Sequence, residues 1–551
     1  MGNNAKELMR RSDKAFSDKQ TIDSLHQALA DQFYPERAQF TQTQDWGEEF
    51  ADHLFDSSPV LARRDLGNAF SSMLRPRGQP WFEMTGSFEE LLEEPGVRGW
   101  YESRTKMMRR MMYDRRAKFV RATKQADHDY AAFGNAVLTC EERETADGLS
   151  FRCHHLKDCA WLENADGDVD TMFRNLCGMT ARQVGQRFGR PGDKLHSSVQ
   201  RAVEKSPDKV LSFRHVMMPI GEYEFTTGIK APPEADYASI YIDCDHKSIV
   251  REAFSYEFRY VVPRWQLISG SPYAVSPAAM TSLPDARTMQ AMARTMLEAA
   301  EKQVDPPLKA VEEAIKGEVN YHGGGITWVD RAYDERLGPA LEPLGLQGNV
   351  RLGVDMLVRL QAMTQEAWYL TKLALPQAAG RTAFETAQLV EEFIRQSIPL
   401  FEPLETDYNA PLLDMAASTL LRVGALGPLD QIPPALAGTD IEFAFANPLQ
   451  DAAKKQKVSQ FQATVEISGA ARQLDPTSAV DVDVRTAARD AIDGTGAPAG
   501  WLVDKKEADA AATEQQETAQ AANAAGFAGA AGQAAEQVGR GAQALQGGAQ
   551  P

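Results

Sequence analysis

The spacing of apolar and polar positions divides the chain into a mixed first half and a helical middle. Residues 1–75 show helical spacing. LHQALADQFYP carries an apolar stripe and stops at Pro35, and SSPVLARRDLGNAFSSMLRP opens with the cap-like Ser57 and Ser58 followed by Pro59. WFEMT, Trp81–Thr85, reads as a strand, and residues 98–130 as one long helical segment rich in basic residues. GNAVLTCEE and LSFRCHHL then alternate with period two. So does CAWLENADGDVDTMFR, where Asp166–Gly167 between two alternating runs signals a hairpin. A short helix, MTARQVGQRFG, precedes further strands in VLSFRHVMMPI, ASIYIDCD and SYEFRYVVPRWQLI. The first 270 residues are therefore mixed α+β.

The middle of the chain has a different period. Pro284–Val304 is a strong helix with proline in its first turn, and Val350–Leu375 is a second of similar reach. Between them lies a short mixed insert, Asp305–Asn349. A loop, PQAAGRT, leads to another helical run, AFETAQLVEEFIRQSI, which Pro399 breaks, and then to APLLDMAASTLLRVGAL. TDIEFAFANP reads as a strand, with helices continuing to about residue 493. From about Ala508 the chain is rich in Ala, Gln and Gly and lacks the apolar residues for a core of its own.

Composition narrows the function classes. The chain has 551 residues, 43% hydrophobic, with a formal charge of −18. Acidic surface repels phosphates, which argues against tight general binding of nucleic acid through counterion release. Contact with DNA that must not stick stays open. Five cysteines without a CxxC pair argue for a reducing compartment. The first residues lack a secretory signal and the Ser/Thr of a myristoylation motif, and no apolar run is long enough to span a membrane. A soluble, intracellular protein is the expectation.

The candidate chemistry is thin. VNYHGGGITWVD holds three glycines, but no Lys–Ser/Thr pair follows them as a phosphate loop requires, nor is there a GxGxxG opening a helix. Glycines between two alternating runs read as a turn. CHHLKDC offers Cys153 and His155 on one face of a strand, but its C-x₅-C spacing does not fit structural zinc sites. Asp166, Asp168 and Asp170 resemble a calcium loop until Val169 falls where the sixth-position glycine belongs. The segment Arg104–Lys124 carries nine Lys/Arg, with Arg109, Arg110, Arg115 and Arg116 at its centre. Two readings stand for it: contact with an acidic neighbouring subunit or a solvated face, and contact with DNA. No catalytic motif appears with a supporting context, and no cofactor is implied.

Several longer strings, in order, carry a resemblance. SSPVLARRDLGNAFSSMLRPRGQPWF, AAFGNAVL, DGDVDTMFRNLCGMTARQVGQRFG and VVPRWQLISGSPYAVSPAAMTSLPDARTM are similar to the N-terminal half of podovirus portal, or head-to-tail connector, proteins. TAFETAQ, PLLDMAASTLLRVGAL, IPPALAG and ANPLQDAAKKQ are similar to the C-terminal half, so the likeness spans about Ala5 to Leu502. SPYAVSP departs from the pattern by lacking a glycine after the tyrosine.

The resemblance implies an α+β portal fold: an α+β wing over residues 1–270, a first stem helix over 271–304, and a small mixed clip over 305–349. A second stem helix over 350–375, a tunnel loop over 376–382 and a long wing helix over 383–430 follow. A helical crown covers 431–504, and 505–551 form an Ala-rich barrel or flexible extension. It further implies a homododecameric ring at a capsid vertex, assembled in the host cytoplasm and carried in the virion. Double-stranded DNA passes through it without sequence preference. Terminase, tail adaptors, capsid and scaffolding proteins are the implied partners; a membrane is not. Glu298 and Glu301 become candidates for an acidic channel lining. Lys372, Gln377 and Arg381 become candidates near the axis, where Lys372 and Arg381 read equally well as helix-capping or intersubunit partners. His322, Trp328 and Arg331 become candidates for clip docking. A metal-dependent hydrolase or nuclease built around Cys153–Cys159, and a capsid-associated structural protein without a channel, are the alternatives.

Overall fold

The computed structural model describes residues 2–43, 45, 47–49, 51–78, 80–86, 95–143, 148–189, 191–311, 314–315, 317–320, 327–330, 334, 336, 338–343, 350–373, 402–427, 432–436, 441–445, 458, 460–469, 484–494, 511, 513–515 and 518. The chain divides into two compact units: Met1–Trp81 with Met108–Leu426, and Phe82–Met107 with Gly427–Pro551.

In chain order the elements begin with helices α1 (Gly2–Asp18), α2 (Gln20–Phe33) and α3 (Ser58–Leu74), strand β1 (Phe82–Gly86), and helices α4 (Pro95–Met112) and α5 (Phe119–Phe133). Next come β2 (Val137–Glu142), β3 (Leu149–His154), β4 (Cys159–Glu163), β5 (Val169–Thr180), α6 (Ala181–Phe188), α7 (Ser197–Lys205), β6 (Val210–Pro219), α8 (Ile220–Thr227), β7 (Tyr237–Asp243) and β8 (Ser248–Ser255). Short strands β9 (Gln266–Leu267) and β10 (Ala274–Val275) lead to α9 (Pro277–Val304), β11 (Leu308–Ala310), β12 (Leu341–Pro343), α10 (Val350–Ala367) and α11 (Leu370–Leu373). Helix α12 (Ala410–Arg422), β13 (Ile441–Phe445) and α13 (Val484–Gly494) follow.

The centre of the first unit is an antiparallel sheet in the order β4-β5-β6-β7-β8. Alternation gives its two faces different tasks. Ala160, Phe173, Val216 and Ile240 align across four strands and are fully buried against Leu8 of α1 and Tyr223 of α8. The opposite face carries the row Cys159, Arg174, His215, Tyr241 and Arg251, one residue from each strand. At one end of the sheet α6 and α7 bury Val184, Phe188 and Val199 against Phe213 and Tyr241. The predicted β4–β5 hairpin forms, and Asn164 Oδ1 accepts from the N–H groups of Asp166 and Asp168 at 2.9 and 2.8 Å. The predicted helix after it is α6, held by a capping box between Thr180 and Gln183.

Several boundaries differ from the sequence reading. The 98–130 segment is two helices, interrupted at 113–118, where Lys118 takes φ 58° and the Phe151 N–H bonds the Ala117 carbonyl. The strand expected from Ser255 ends there instead. It is the Ser248–Ser255 run that pairs with β7, while 256–265 contributes only isolated bridges through Val261 and Arg264. Helix α3 starts where expected, but Asp56, not Ser57, accepts the Ser58 N–H, at 2.7 Å.

Helix α9 begins at Pro277, seven residues before Pro284, because Ser276 Oγ accepts from Ala279 N–H; Pro284 sits inside the helix. Just upstream, Gly134 ends α5 at φ 73°, and a Cβ there would meet the Val275 carbonyl carbon at 2.2 Å. Helix α9 has 28 residues and so a length of ~42 Å. The second long helix ends at Ala367, and Tyr369, at φ 58°, separates it from α11. The loop and helix expected over 376–398 lie outside the described residues.

In the second unit β1 pairs antiparallel with β13, as both strand readings allow, and Phe82 meets Phe443 edge-on at 5.9 Å. Met84 N–H donates to Thr105 Oγ1 at 2.9 Å.

Candidate functional site: the helical hairpin and the basic turn

Helices α9 and α10 form an antiparallel hairpin, visible in contacts that run in opposite order along the two. Near the start of α9, Trp368 Nε1 donates to Ser282 Oγ at 2.8 Å, with the indole fully buried against Phe33. Midway, Asp56, in the loop before α3, ties both helices to that loop. Gln290 accepts from the N–H groups of Phe55 and Asp56 and donates to the Asp56 carbonyl, while Gln361 donates to the Asp56 carboxylate. Farther along, Gly353 brings the backbones together: a Cβ there would lie 3.2 Å from Met296 Sδ. Beyond the helix ends β11 pairs with β12, and Ile315 bridges Val329.

The outer surface of this hairpin is mixed. On α10, Val354, Met356, Val358 and Met363 are all exposed, Val358 at 57%. On α9, Leu297 and Val304 are exposed as well, Val304 at 88%. Such a density of exposed apolar side chains on two adjoining helices marks an interaction surface.

The sequence candidates scatter over this frame. Glu298 and Glu301 are exposed near the far end of α9, and Glu298 holds an i,i+4 pair with Arg294 at 3.0 Å. Lys372 lies at the opposite end, on α11, its ammonium 5.7 Å from the Tyr369 ring centroid. From the Ser282 level to Glu301 the rise along α9 is ~28 Å, so the acidic pair and Lys372 do not share a site. Trp328 is 70% exposed in the insert beyond the helices. Gln377, Arg381, His322 and Arg331 lie outside the described residues, as do the three glycines. Around those glycines, the described Thr327–Asp330 run is met both from 314–315, where Ile315 bridges Val329, and from Asn320. Asp330 N–H bonds the Ala314 carbonyl at 2.7 Å, and Asn320 N–H bonds Thr327 Oγ1 at 3.1 Å.

The basic candidates gather where α4 ends. Arg109 and Arg110 occupy its last turn. Arg115 and Arg116 are exposed on the following turn, which Asp114 organises by accepting the Arg116 N–H at 2.9 Å.

The CHHLKDC residues are drawn apart by separate partners. Cys153 lies beside Asp129, its thiol pushed well above the usual range by burial and then by that carboxylate. His154 accepts from Arg174 at 2.6 Å and meets Thr139, while burial and the adjacent guanidinium hold it neutral. His155 caps a short 3₁₀ turn by accepting from Lys157 N–H. Among the described residues no three His, Cys, Asp or Glu side chains meet in a form that holds a metal ion.

Sequence reasoning missed the polar layer behind the sheet. Arg174, His215, Tyr241 and Tyr260 are buried in a network that the half-buried His154 joins, with His215 Nε2 2.8 Å from Ser239 Oγ and His215 stacked 4.3 Å from Tyr241. Arg and His at alternate strand positions look solvent-facing in a pattern, and only His154 of β3 meeting Arg174 and Tyr260 meeting His215 show otherwise.

Comparison with known proteins supplies the context for these surfaces. A family model described as bacteriophage head to tail connecting protein matches residues 5–503. The probable portal protein of Bordetella phage BPP-1 is 24% identical over 482 residues, covering 85% of this chain and 83% of that protein. The portal protein of Salmonella phage epsilon15 is 21% identical over 476 residues, with the same shares covered. A chain from the virion of a native gene transfer agent particle matches 76% of this chain and 91% of its own at 11% identity. Its TM-score of 0.32 carries no argument. The family match runs through nearly the whole sequence and agrees with the two curated portal proteins: the chain belongs to the family of bacteriophage head to tail connecting proteins, structural portal proteins of the virion and not enzymes.

Proposed function

We propose that twelve copies of this chain close into a ring at one capsid vertex, through which DNA enters during packaging and leaves on ejection. The family match over residues 5–503 carries this reading. The exposed apolar residues of α9 and α10 support it, because a head-to-tail ring would cover them with the neighbouring copy. Residues 271–304 and 350–375 would be the stem, 305–349 the clip that meets terminase and later the tail adaptor, and 376–382 the loop nearest the DNA. Residues 1–270 and 383–430 would be the wing, 431–504 the crown, and 505–551 its extension.

Charge fits passage without capture. Twelve copies at −18 each carry a formal −216, and an acidic lining repels each phosphate. Glu298 and Glu301 are the proposed lining. Lys372, Gln377 and Arg381 are the proposed contacts that damp motion of the DNA, Trp328, His322 and Arg331 the docking residues, and Arg109, Arg110, Arg115 and Arg116 a contact to an acidic neighbour. Assembly in the host cytoplasm, with capsid and scaffolding proteins as partners, completes the reading.

Negative-stain microscopy of the purified protein tests it: rings with an axial hole are expected. A monodisperse monomer across several salt conditions overturns it. Rings whose Arg381 never cross-links to packaged DNA favour instead a capsid component without a channel role. Deleting Gln377–Gly380 is expected to leave rings intact and impair packaging or retention of DNA.

A further inference from the structure

The charges at two ends of the body are segregated rather than mixed. Between Glu102 and Asp127 the sequence has one acid, Asp114, against nine Lys and Arg. Between Arg37 and Arg63 it has no Lys or Arg at all, while Asp45, Glu48, Glu49, Asp52 and Asp56 are acids. A block of one sign repels itself and gains from a counter-charge.

Neither block is neutralised where it lies. Arg110, Arg115, Lys118 and Arg121 are exposed, and none of the four holds an ion pair among the described residues. Asp114 is already engaged, accepting the Arg116 N–H at 2.9 Å and lying 3.9 Å from Arg143. In the acidic loop Asp45, Glu48, Glu49 and Asp52 are exposed too, and among the described residues no Lys or Arg pairs with them. Glu48 accepts the Asp45 N–H at 2.9 Å, and Asp52 reaches only the ring of His53, at 3.4 Å. Asp56 is set apart, because its carboxylate accepts from Ser58 and Gln361.

Helix α5 separates the two blocks. The basic turn runs into its start, with Lys118 immediately before Phe119. The acidic loop is anchored at its far end. Phe40, where the loop begins, packs edge-on against Phe133 at 5.1 Å. His53, where it ends, lies 2.7 Å from the Asp31 carbonyl, and nearby Tyr34 stacks on Phe133. From Phe119 to Phe133 the helix rises ~21 Å, more than two screening lengths of about 8 Å at physiological salt. Opposite charges at opposite ends of one helix meet only between copies. Acidic end against basic end is a heterologous contact, the kind that closes into rings.

We propose that Asp45, Glu48, Glu49 and Asp52 of one copy lie against Arg110, Arg115, Lys118 and Arg121 of the next copy in the ring. The proposal rests on the ring reading above and identifies the acidic neighbour of the basic turn. DNA at the basic turn would satisfy one block and leave the other unneutralised, whereas a second copy satisfies both in equal number. A contact between exposed charges fixes the register of neighbouring copies and weakens with salt.

Charge reversal in the full chain tests this, with Asp45→Lys/Glu49→Lys in one variant and Arg115→Glu/Arg121→Glu in another. None of these four side chains holds a hydrogen bond or ion pair among the described residues, so circular dichroism is expected to match the wild type. Each double reversal is expected to raise the protein concentration that gives half rings, read by sedimentation, about tenfold. The variant combining all four reversals is expected to restore it. Carbodiimide is expected to join Lys118 to Asp45, Glu48 or Glu49 in wild-type rings and not in dissociated chains. Wild-type rings that both reversals leave intact, or a combined variant no better than either double, overturn the contact alone. Intact rings that lose their hold on DNA only in the Arg115/Arg121 variant assign the basic turn to DNA and likewise overturn it. A wild-type chain that never forms rings overturns the ring reading and this contact with it.

Discussion

The five-stranded body and the α9–α10 hairpin differ in what covers their large side chains. In the body the chain covers them itself: Trp161, Phe173, Val216 and Ile240 are almost fully buried, and even Arg75, Asp127 and Arg174 are inside. On the hairpin, Met356, Val358 and Val304 stand in the open beside charged neighbours. The body is therefore complete as one copy. The hairpin is shaped for company, held to the body by Asp56 and Trp368 at defined points. The proposed ring would use both: a body already packed within one copy, and an apolar surface that a neighbouring copy covers.

The contrast can be broken most severely from inside the body. Arg75 donates to Asp127 and, at 3.0 Å, to Asn409, with both charges buried. Arg75→Met strands the Asp127 carboxylate and is expected to cost ~3–5 kcal/mol in urea unfolding. The double variant Arg75→Met/Asp127→Leu is expected to recover much of that loss. Equal loss in both would mean the pair is not what holds α3 to α5.

The next effect is a pH slope. His26 sits between Phe40 and Phe133, at 5.1 Å from each, and burial followed by nearby Lys19 lowers its pKa to about 3. The unfolded chain takes up a proton near pH 6.5 that the folded chain refuses until about pH 3. Its contribution to stability is therefore present above 6.5 and declines as pH falls between those values, by up to ~1.4 kcal/mol per pH unit. His26→Leu is expected to flatten that part of the pH–stability curve; an unchanged slope would assign it elsewhere.

A smaller change is expected where body and hairpin join. Ser276 Oγ accepts from Ala279 N–H and donates to the Ala131 carbonyl. Ser276→Ala is expected to cost ~1 kcal/mol, read as a lowered unfolding midpoint. The smallest effect on the single chain belongs to the hairpin surface. Met356→Ser with Val358→Ser is expected to change its unfolding free energy by less than about 0.5 kcal/mol, while ring formation in size-exclusion chromatography is lost. Rings that persist would move the neighbouring copy off this face.

How far the sequence carried the fold depended on whether a signal was local. The β4–β5 turn, the capping box of α6 and the two long helices announce themselves within a few residues. The start of α9 did not, since Pro277 and Pro284 are equally good first-turn prolines and only Ser276 against Ala131 selects between them. Nor did the break after α10: nothing at Trp368–Tyr369 looks like a terminator, and it is the Trp368 bond to Ser282 that fixes the indole there. Of the candidate site, Glu298, Glu301, Lys372 and Trp328 were legible as exposed residues, but their separation along the hairpin was not. The stacking of His196 on His246 had no signal at all, because the two are fifty positions apart in the sequence.

By itself the sequence determined the mixed first half, the paired helices around a small insert, the acidic charge and, through its ordered strings, the head-to-tail connector family. Those are properties of spacing and composition, which local backbone geometry converts directly into elements. Only the tertiary structure decided which face of each strand meets what. Period two says that Cys159, Arg174, His215 and Tyr241 lie on the side opposite Phe173 and Val216. It cannot say that His154 of a second hairpin reaches Arg174, so that an arginine and a histidine share a hydrogen bond in the interior while methionine and valine on α10 remain in water.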